Sequence, residues 1–128
     1  SGQRLEVFLE ERLFRPLRMA DTAFALGPDR IGRLAEGLGV DPAAGNRPIA
    51  MFDPARPIGN ASGGGGALAT AADYMRFAQM LAKGGVLEGV RILSPETVRL
   101  MTADHLAGKL QPTPVGVLGT PGYGFGLG

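Results

Sequence analysis

The stretch "NASGGGGALATAADYMRFAQMLAKGG" (Asn60–Gly85) constrains this chain more than any other. It contains a helix whose two ends are both written in the residues. Thr70 and Asp73 stand at capping-box spacing, with Asp in place of the usual Glu. Tyr74, Phe77, Ala78 and Leu81 follow at i, i+3, i+4, i+7 and predict an inward stripe. Gly84-Gly85 supplies residues suited to a left-handed C-cap. The spacing therefore predicts a helix from about Thr70 to Lys83. Gly63, Gly64, Gly65 and Gly66 lie just ahead of it. Such a cluster either lines a site or permits a tight piece of backbone, because glycine reaches dihedral angles closed to other residues.

The other elements are read with the same rules. Leu5, Phe8, Leu9 and Leu13 in "RLEVFLEERLF" (4–14) have helical spacing, with the charged residues mostly opposite. Pro16 is expected to end that helix, since its ring disfavours helical angles at the preceding residue. The chain then turns through Asp21-Thr22, and 27–60 has weak periodicity, with a short helix or turn in "PDRIGRLAEGL". "VLEGVRIL" reads as two short extended pieces around a turn. Ser94-Pro95-Glu96 opens another helix, as N-cap, first helical residue and acid at the positive end, with Val98 and Met101 facing inward. "YGFGLG" alternates bulky residues with glycine, so it reads as a strand whose bare face meets another backbone or helix.

Several chemistries are excluded by what the chain contains. It has 128 residues, 45% apolar and 20% charged, which suits one soluble globular domain. Net charge is +1, so nucleic acid and membrane surfaces are not expected partners. No apolar run approaches the ~20 residues of a membrane helix. With no cysteine and a single histidine, His105, no metal site is expected; His105 reads as a solvated helix end. The Lys-Ser/Thr that completes a phosphate loop is missing after "SGGGG". No Ser-x-x-Lys or Gly-x-Ser-x-Gly occurs: Ser62 reads as a helix-entry residue and Ser94 as a cap. Lys83-Gly84-Gly85 has the form Lys-x-Gly, yet its place at a helix end makes it a C-cap.

Three stretches in order resemble the serine β-lactamase-like family, which includes class C β-lactamases, esterases and penicillin-binding D,D-peptidases. "SGQRLEVFLEERLFRPLRMADTAF" looks like the segment after its tyrosine motif. "SGGGGALATAADYMRFAQMLAKGGVLEGVRILSPETVRLMTADHL" looks like its middle helical region, and "GYGFGLG" like the strand returning to its sheet. The resemblance covers residues 1–128. It implies a mostly helical α+β fragment, a partial domain between the tyrosine motif and the Lys/His-x-Gly motif. It also implies serine acyl transfer on a β-lactam, an ester or a D-Ala-D-Ala peptide, without cofactor or metal. The family's Ser-x-x-Lys, Tyr-x-Asn/Ser and Lys/His-x-Gly motifs are all missing from this chain, whose ends look cut. No catalytic residue is therefore expected here.

By the same resemblance, Gly64, Gly65 and Gly66 map onto the border of the substrate cleft; the alternative is that they only allow a tight turn. Asp73 is expected to cap and pack, and the 27–60 loop to help form the cleft wall. Localisation is open, with periplasm or exterior favoured over cytoplasm. Two rival readings stand beside this one: a non-catalytic helical binding module, and an anion-binding loop at the glycines.

Overall fold

The computed structural model describes residues 2–35, 40–41, 45, 47–48, 59–105 and 126. The chain divides into two compact units, Ser1–Tyr74 and Met75–Gly128. In the first unit, α1 (Leu5–Leu9) runs directly into a π-helical turn, Glu10–Phe14. Proline explains the widening. Pro16 has no amide hydrogen to give the Arg12 carbonyl, and its ring would strike that carbonyl in a regular helix. The Arg15 amide instead bonds Glu10 O, five residues back, at 3.0 Å. A wider turn inserts slack where the ring must pass.

The helical run ends at Phe14, just ahead of Pro16, as the sequence predicts. Arg15 keeps helical angles (φ −63, ψ −48), and Leu17 N still bonds Leu13 O at 3.1 Å. The turn that follows closes at Arg18, in the left-handed region at φ 55. Met19 N bonds Phe14 O at 2.8 Å and Arg18 N bonds Arg15 O at 3.0 Å, the paired bonds of a Schellman motif. The two residues that this motif brings together at its ends, Phe14 and Met19, are both buried, as is Leu17. The expected stripe of Leu5, Phe8, Leu9 and Leu13 is only half-buried, and the buried positions are displaced to Phe14 and Leu17.

Residues Ile31–Arg33 form the single 3-10 turn that "PDRIGRLAEGL" suggested. A two-residue ladder, β1 (Val40–Asp41) with β2 (Arg47–Pro48), pairs antiparallel with Val40 opposite Pro48, a pairing that periodicity did not predict. Ala23 and Leu68 exchange two backbone hydrogen bonds of 3.0 and 2.8 Å, which fixes the chain just before α2 (Ala71–Ala82). The predicted limits of α2 hold within a residue or so. Thr70 Oγ1 accepts the Asp73 amide at 3.2 Å, the first half of a capping box.

The predicted inward face of α2 is displaced. Tyr74 is 64% exposed, and Phe77, Ala78 and Leu81 are half-buried; the buried positions are Asp73 and Met80. An acid holds the inward position because it has buried polar groups to satisfy, described below. The rotation is one residue, about 100° around the helix.

In the second unit, the C-terminus of α2 behaves as predicted. Gly84 (φ 66) and Gly85 (φ 90) donate to Leu81 O and Met80 O, both at 2.9 Å, in a second Schellman motif. Strands β3 (Val86–Leu87) and β4 (Val90–Arg91) pair antiparallel, Leu87 opposite Val90. Both loop residues, Glu88 (φ 48) and Gly89 (φ 81), have positive φ, which defines a type I′ hairpin turn. Arg76 grips the Glu88 carboxylate through two nitrogens at 3.3 and 2.8 Å. That grip accompanies a non-glycine residue in the left-handed region.

Helix α3 (Pro95–Thr102) starts as written in the sequence: Ser94 Oγ accepts the Thr97 amide at 3.1 Å. The Glu96 carboxyl is held below its usual range, first by its own backbone amide and then by Ser94. Val98 is buried and Met101 half-buried. The predicted "YGFGLG" strand lies outside the described residues except for Gly126. A Cβ on Gly126 would strike the Met101 carbonyl, so at this position the expected close approach of another backbone is present.

The two helix-stop glycines are expected to respond differently to alanine. A Cβ on Gly84 meets nothing within 4 Å. Gly84→Ala is therefore destabilising by about 1 kcal/mol, the left-handed penalty alone. A Cβ on Gly85 strikes the Leu93 carbonyl, while Gly85 O accepts both Ile92 N (2.9 Å) and Leu93 N (3.2 Å). The backbone there cannot retreat freely, and Gly85→Ala is expected to destabilise by about 3 kcal/mol. Urea denaturation of the two variants measures the gap.

Candidate functional site

The site is built around one buried carboxylate. Asp73 enters α2 in its first turn and is 7% exposed. Its Oδ2 accepts the Asp21 amide at 2.7 Å and the Thr22 hydroxyl at 2.9 Å, from residues 51 and 52 positions earlier. A buried carboxylate that accepts well-placed donors is stabilised, whereas the donors left without it would be unsatisfied. The side chain does not reach back to the Thr70 amide to close the capping box. It is committed to the Asp21–Thr22 turn, in agreement with the packing role expected of it.

Asp21 in turn faces outward to two arginines. Pro28 sits at the second position of a turn closed by Arg30 N to Gly27 O at 3.0 Å. The chain then continues with Arg33 N to Arg30 O at 3.0 Å, a three-residue period that stacks Arg30 and Arg33 on one side. Arg33 holds both Asp21 oxygens, at 2.8 and 2.9 Å. This fork holds the Asp21 carboxyl below the usual carboxylate range, first through the hydrogen bond and then through charge, with desolvation opposing. It raises Arg33 for the same reason. Arg30 gives its hydrogen bond to Ala20 O at 3.2 Å and stands 3.9 Å from Asp21.

These groups wall a cleft of about 500 Å³ in the first unit, with Leu26, Leu34 and Leu68 as its apolar side and Thr70-Ala71 at the start of α2 closing one end. Its volume lies in the range of small-molecule sites. The sequence reading did not single out Asp21, Arg30 or Arg33. The i, i+3 spacing of the arginines was available, but Asp21 joins them only through tertiary folding.

The glycines singled out from sequence lie elsewhere in this unit. Ser62 and Gly65 form a bridge across a tight turn, with the Gly64 amide on Ser62 Oγ at 3.3 Å. Gly64, Gly65 and Gly66 are exposed, and Gly66 has φ 93. A Cβ would meet only Ser62 Oγ at Gly64, at 3.9 Å, and nothing within 4 Å at Gly65 or Gly66. They do not line the Asp21 cleft. Lys83-Gly84-Gly85 is the end of α2, as read. His105 is not simply solvated: it is half-buried, and its Nε2 donates to Leu100 O at 2.6 Å, capping a carbonyl at the end of α3. Among the described residues no His, Asp and Glu cluster could hold a metal ion, and no helix is long and apolar enough to cross a membrane.

Comparison with known proteins decides the kinship. The Beta-lactamase family profile matches residues 1–128, the whole chain. The chain belongs to the Beta-lactamase family. Its α+β, mostly helical make-up accords with that family, as the sequence resemblance implied. Protein Rv1367c of Mycobacterium tuberculosis H37Rv is 39% identical over 123 residues, which cover 93% of this chain and 30% of the relative. A human protein provisionally named beta-lactamase-like 1 is 34% identical over 100 residues, 78% of this chain and 18% of that protein. A crystal structure of a provisionally named β-lactamase from Bacteroides dorei DSM 17855 has a TM-score of 0.48 at 30% identity, covering 80% of this chain and 23% of the other. The chain thus spans less than a third of the length of each of these proteins.

Two outcomes follow from the carboxylates of this site. Asp73→Ala is expected to destabilise the chain by about 2–4 kcal/mol, the range for two hydrogen bonds to a buried charge, read by urea denaturation. The Asp21 carboxyl is depressed on folding, so its pair with Arg33 favours the folded state above the ordinary carboxylate range. That contribution is lost as pH falls through the folded pKa. Asp21→Asn is expected to lower stability at neutral pH and to flatten its fall towards about pH 3. Parallel slopes for the two proteins would contradict the assignment.

Proposed function

We propose that this chain is part of a serine hydrolase that performs acyl transfer through a serine acyl-enzyme. The observation that carries the reading is the family match over residues 1–128. A serine attacks an ester or amide carbonyl, the leaving group departs, and water or another acceptor releases the acyl group. The substrate is a β-lactam, a simple ester or a D-Ala-D-Ala peptide. The reading places this chain as a partial domain beside the reacting groups. Its sequence offers no Ser-x-x-Lys, no Tyr-x-Asn or Tyr-x-Ser, and a Lys-x-Gly only where a helix ends. Gly64, Gly65 and Gly66 border the substrate cleft of the whole protein. Their exposure and the open space above Gly65 and Gly66 support that role, since among the described residues nothing stands within 4 Å of a Cβ at either position. The reading favours an exported protein.

The 128-residue chain is expected to turn over neither nitrocefin nor p-nitrophenyl acetate above a buffer blank. Turnover that disappears in Ser62→Ala would overturn the assignment of the chemistry to other residues. The flanking coding sequence provides the second test. It is expected to encode Ser-x-x-Lys and Tyr-x-Asn or Tyr-x-Ser upstream, and Lys/His-x-Gly downstream. Their absence would favour a non-catalytic helical binding module.

A further inference from the structure

The Asp21 cleft has a property that its structural role leaves unused. Among the described residues, three charged groups wall it, two guanidiniums and one carboxylate. They are not equivalent. Asp21 spends both oxygens on Arg33, at 2.8 and 2.9 Å, so that pair is mutually satisfied. Asp21 stands 3.9 Å from Arg30, beyond hydrogen-bonding range. Among the described residues, the Arg30 guanidinium donates one hydrogen bond, to the Ala20 carbonyl at 3.2 Å. A guanidinium has five N–H donors in a planar fork matched to carboxylate. Arg30, in a loose 3.9 Å ion pair with Asp21, therefore keeps donors that no described group takes up. It is held from behind by Ala20 and by the Gly27–Arg30 turn, and it stands beside the apolar side made by Leu26, Leu34 and Leu68.

We propose that this cleft binds a small organic carboxylate, with Arg30 receiving the carboxylate and the leucines receiving an apolar body. Asp21 and the Asp73 carboxylate behind it offset charge on the Arg33 side, so the unused N–H donors of Arg30 are what favour a carboxylate ligand. The Arg33–Asp21 fork occupies both Asp21 oxygens, and the Asp21 charge would repel an anionic ligand that came to it instead. Gly64, Gly65 and Gly66 do not line this cleft. The proposal stands or falls independently of the function proposed above.

Three probes separate the ingredients on the full 128-residue chain: sodium benzoate, sodium acetate and benzamide, each titrated at low ionic strength while backbone amide shifts are followed. Benzoate is expected to give saturable shifts at Arg30, Leu34 and Leu68 to Ala71. Acetate, which lacks the body, and benzamide, which lacks the charge, are expected to bind several-fold more weakly. Arg30→Gln is expected to weaken benzoate about fivefold, the scale of one exposed charge pair. Arg30→Lys should recover part of the loss. Arg12→Gln, which removes the same charge from the π-helical turn, should leave the titration unchanged. Unsaturable shifts, equal binding of benzamide and benzoate, or equal weakening by Arg12→Gln and Arg30→Gln would each overturn the proposal. Amide spectra of the apo variants show whether each remains folded. Should Arg30→Gln fail to fold, the order of the three probes on the unaltered chain decides.

Discussion

The first unit depends on a carboxylate that has been taken out of water. Asp73 sits where an amphipathic helix would ordinarily place a hydrophobic residue, and it is tolerated because the Asp21–Thr22 turn arrives with two donors. The arrangement is directional in a way that apolar contact is not. A leucine at this position could slide against its neighbours, whereas a carboxylate accepting an amide and a hydroxyl admits one placement. The start of α2, the 21–22 turn and the Ala23–Leu68 bridge are fixed together as a result. The cleft inherits its shape from that fixing. Asp21, Leu68 and Thr70 each belong to one of the three pieces that Asp73 or the bridge ties together.

Polar commitment of this kind also explains where sequence reading succeeded and where it did not. Local signals transferred well. Ser94 caps, Pro95 starts a helix, Gly84-Gly85 stops one, and Thr70 accepts the Asp73 amide, because each needs only neighbours three to five residues away. Apolar periodicity transferred less well. It placed Tyr74 inward, though burial belongs to Asp73 and Met80, because an acid with distant partners outranks an aromatic ring for the inward position. The arginine cleft was invisible for a related reason. Arg30 and Arg33 are ordinary surface residues until the chain brings Asp21 to them across nine to twelve positions. The glycines were visible at once, but their spacing alone could not distinguish a turn from a cleft border.

Two residues in the left-handed region, Arg18 and Glu88, mark places where geometry outranked preference. Both occur at abrupt reversals, one at a helix stop and one in a hairpin of two loop residues. Glycine would have fitted either more easily. At Glu88 the paired grip of Arg76 offers a reason for keeping a longer side chain, since glycine could not be held in that way. Family membership and the share of the relatives covered give this reading its setting: the segment is rich in stops and turns.

The π-helical turn ahead of Pro16 has a consequence for how this segment can vary. A single wide turn absorbs one extra residue, so every side chain after it is rotated relative to those before it. That is why Leu5, Phe8 and Leu9 share one face while burial resumes at Phe14 and Leu17. Deleting one residue between Leu9 and Phe14 would restore an even helical count and leave the downstream residues on the face they hold now. A homologous segment one residue shorter here, without the proline, would therefore be expected to keep the same buried face through a straight helix. The proline and the additional residue form one heritable unit, and alignments that score them as separate changes would misplace the gap.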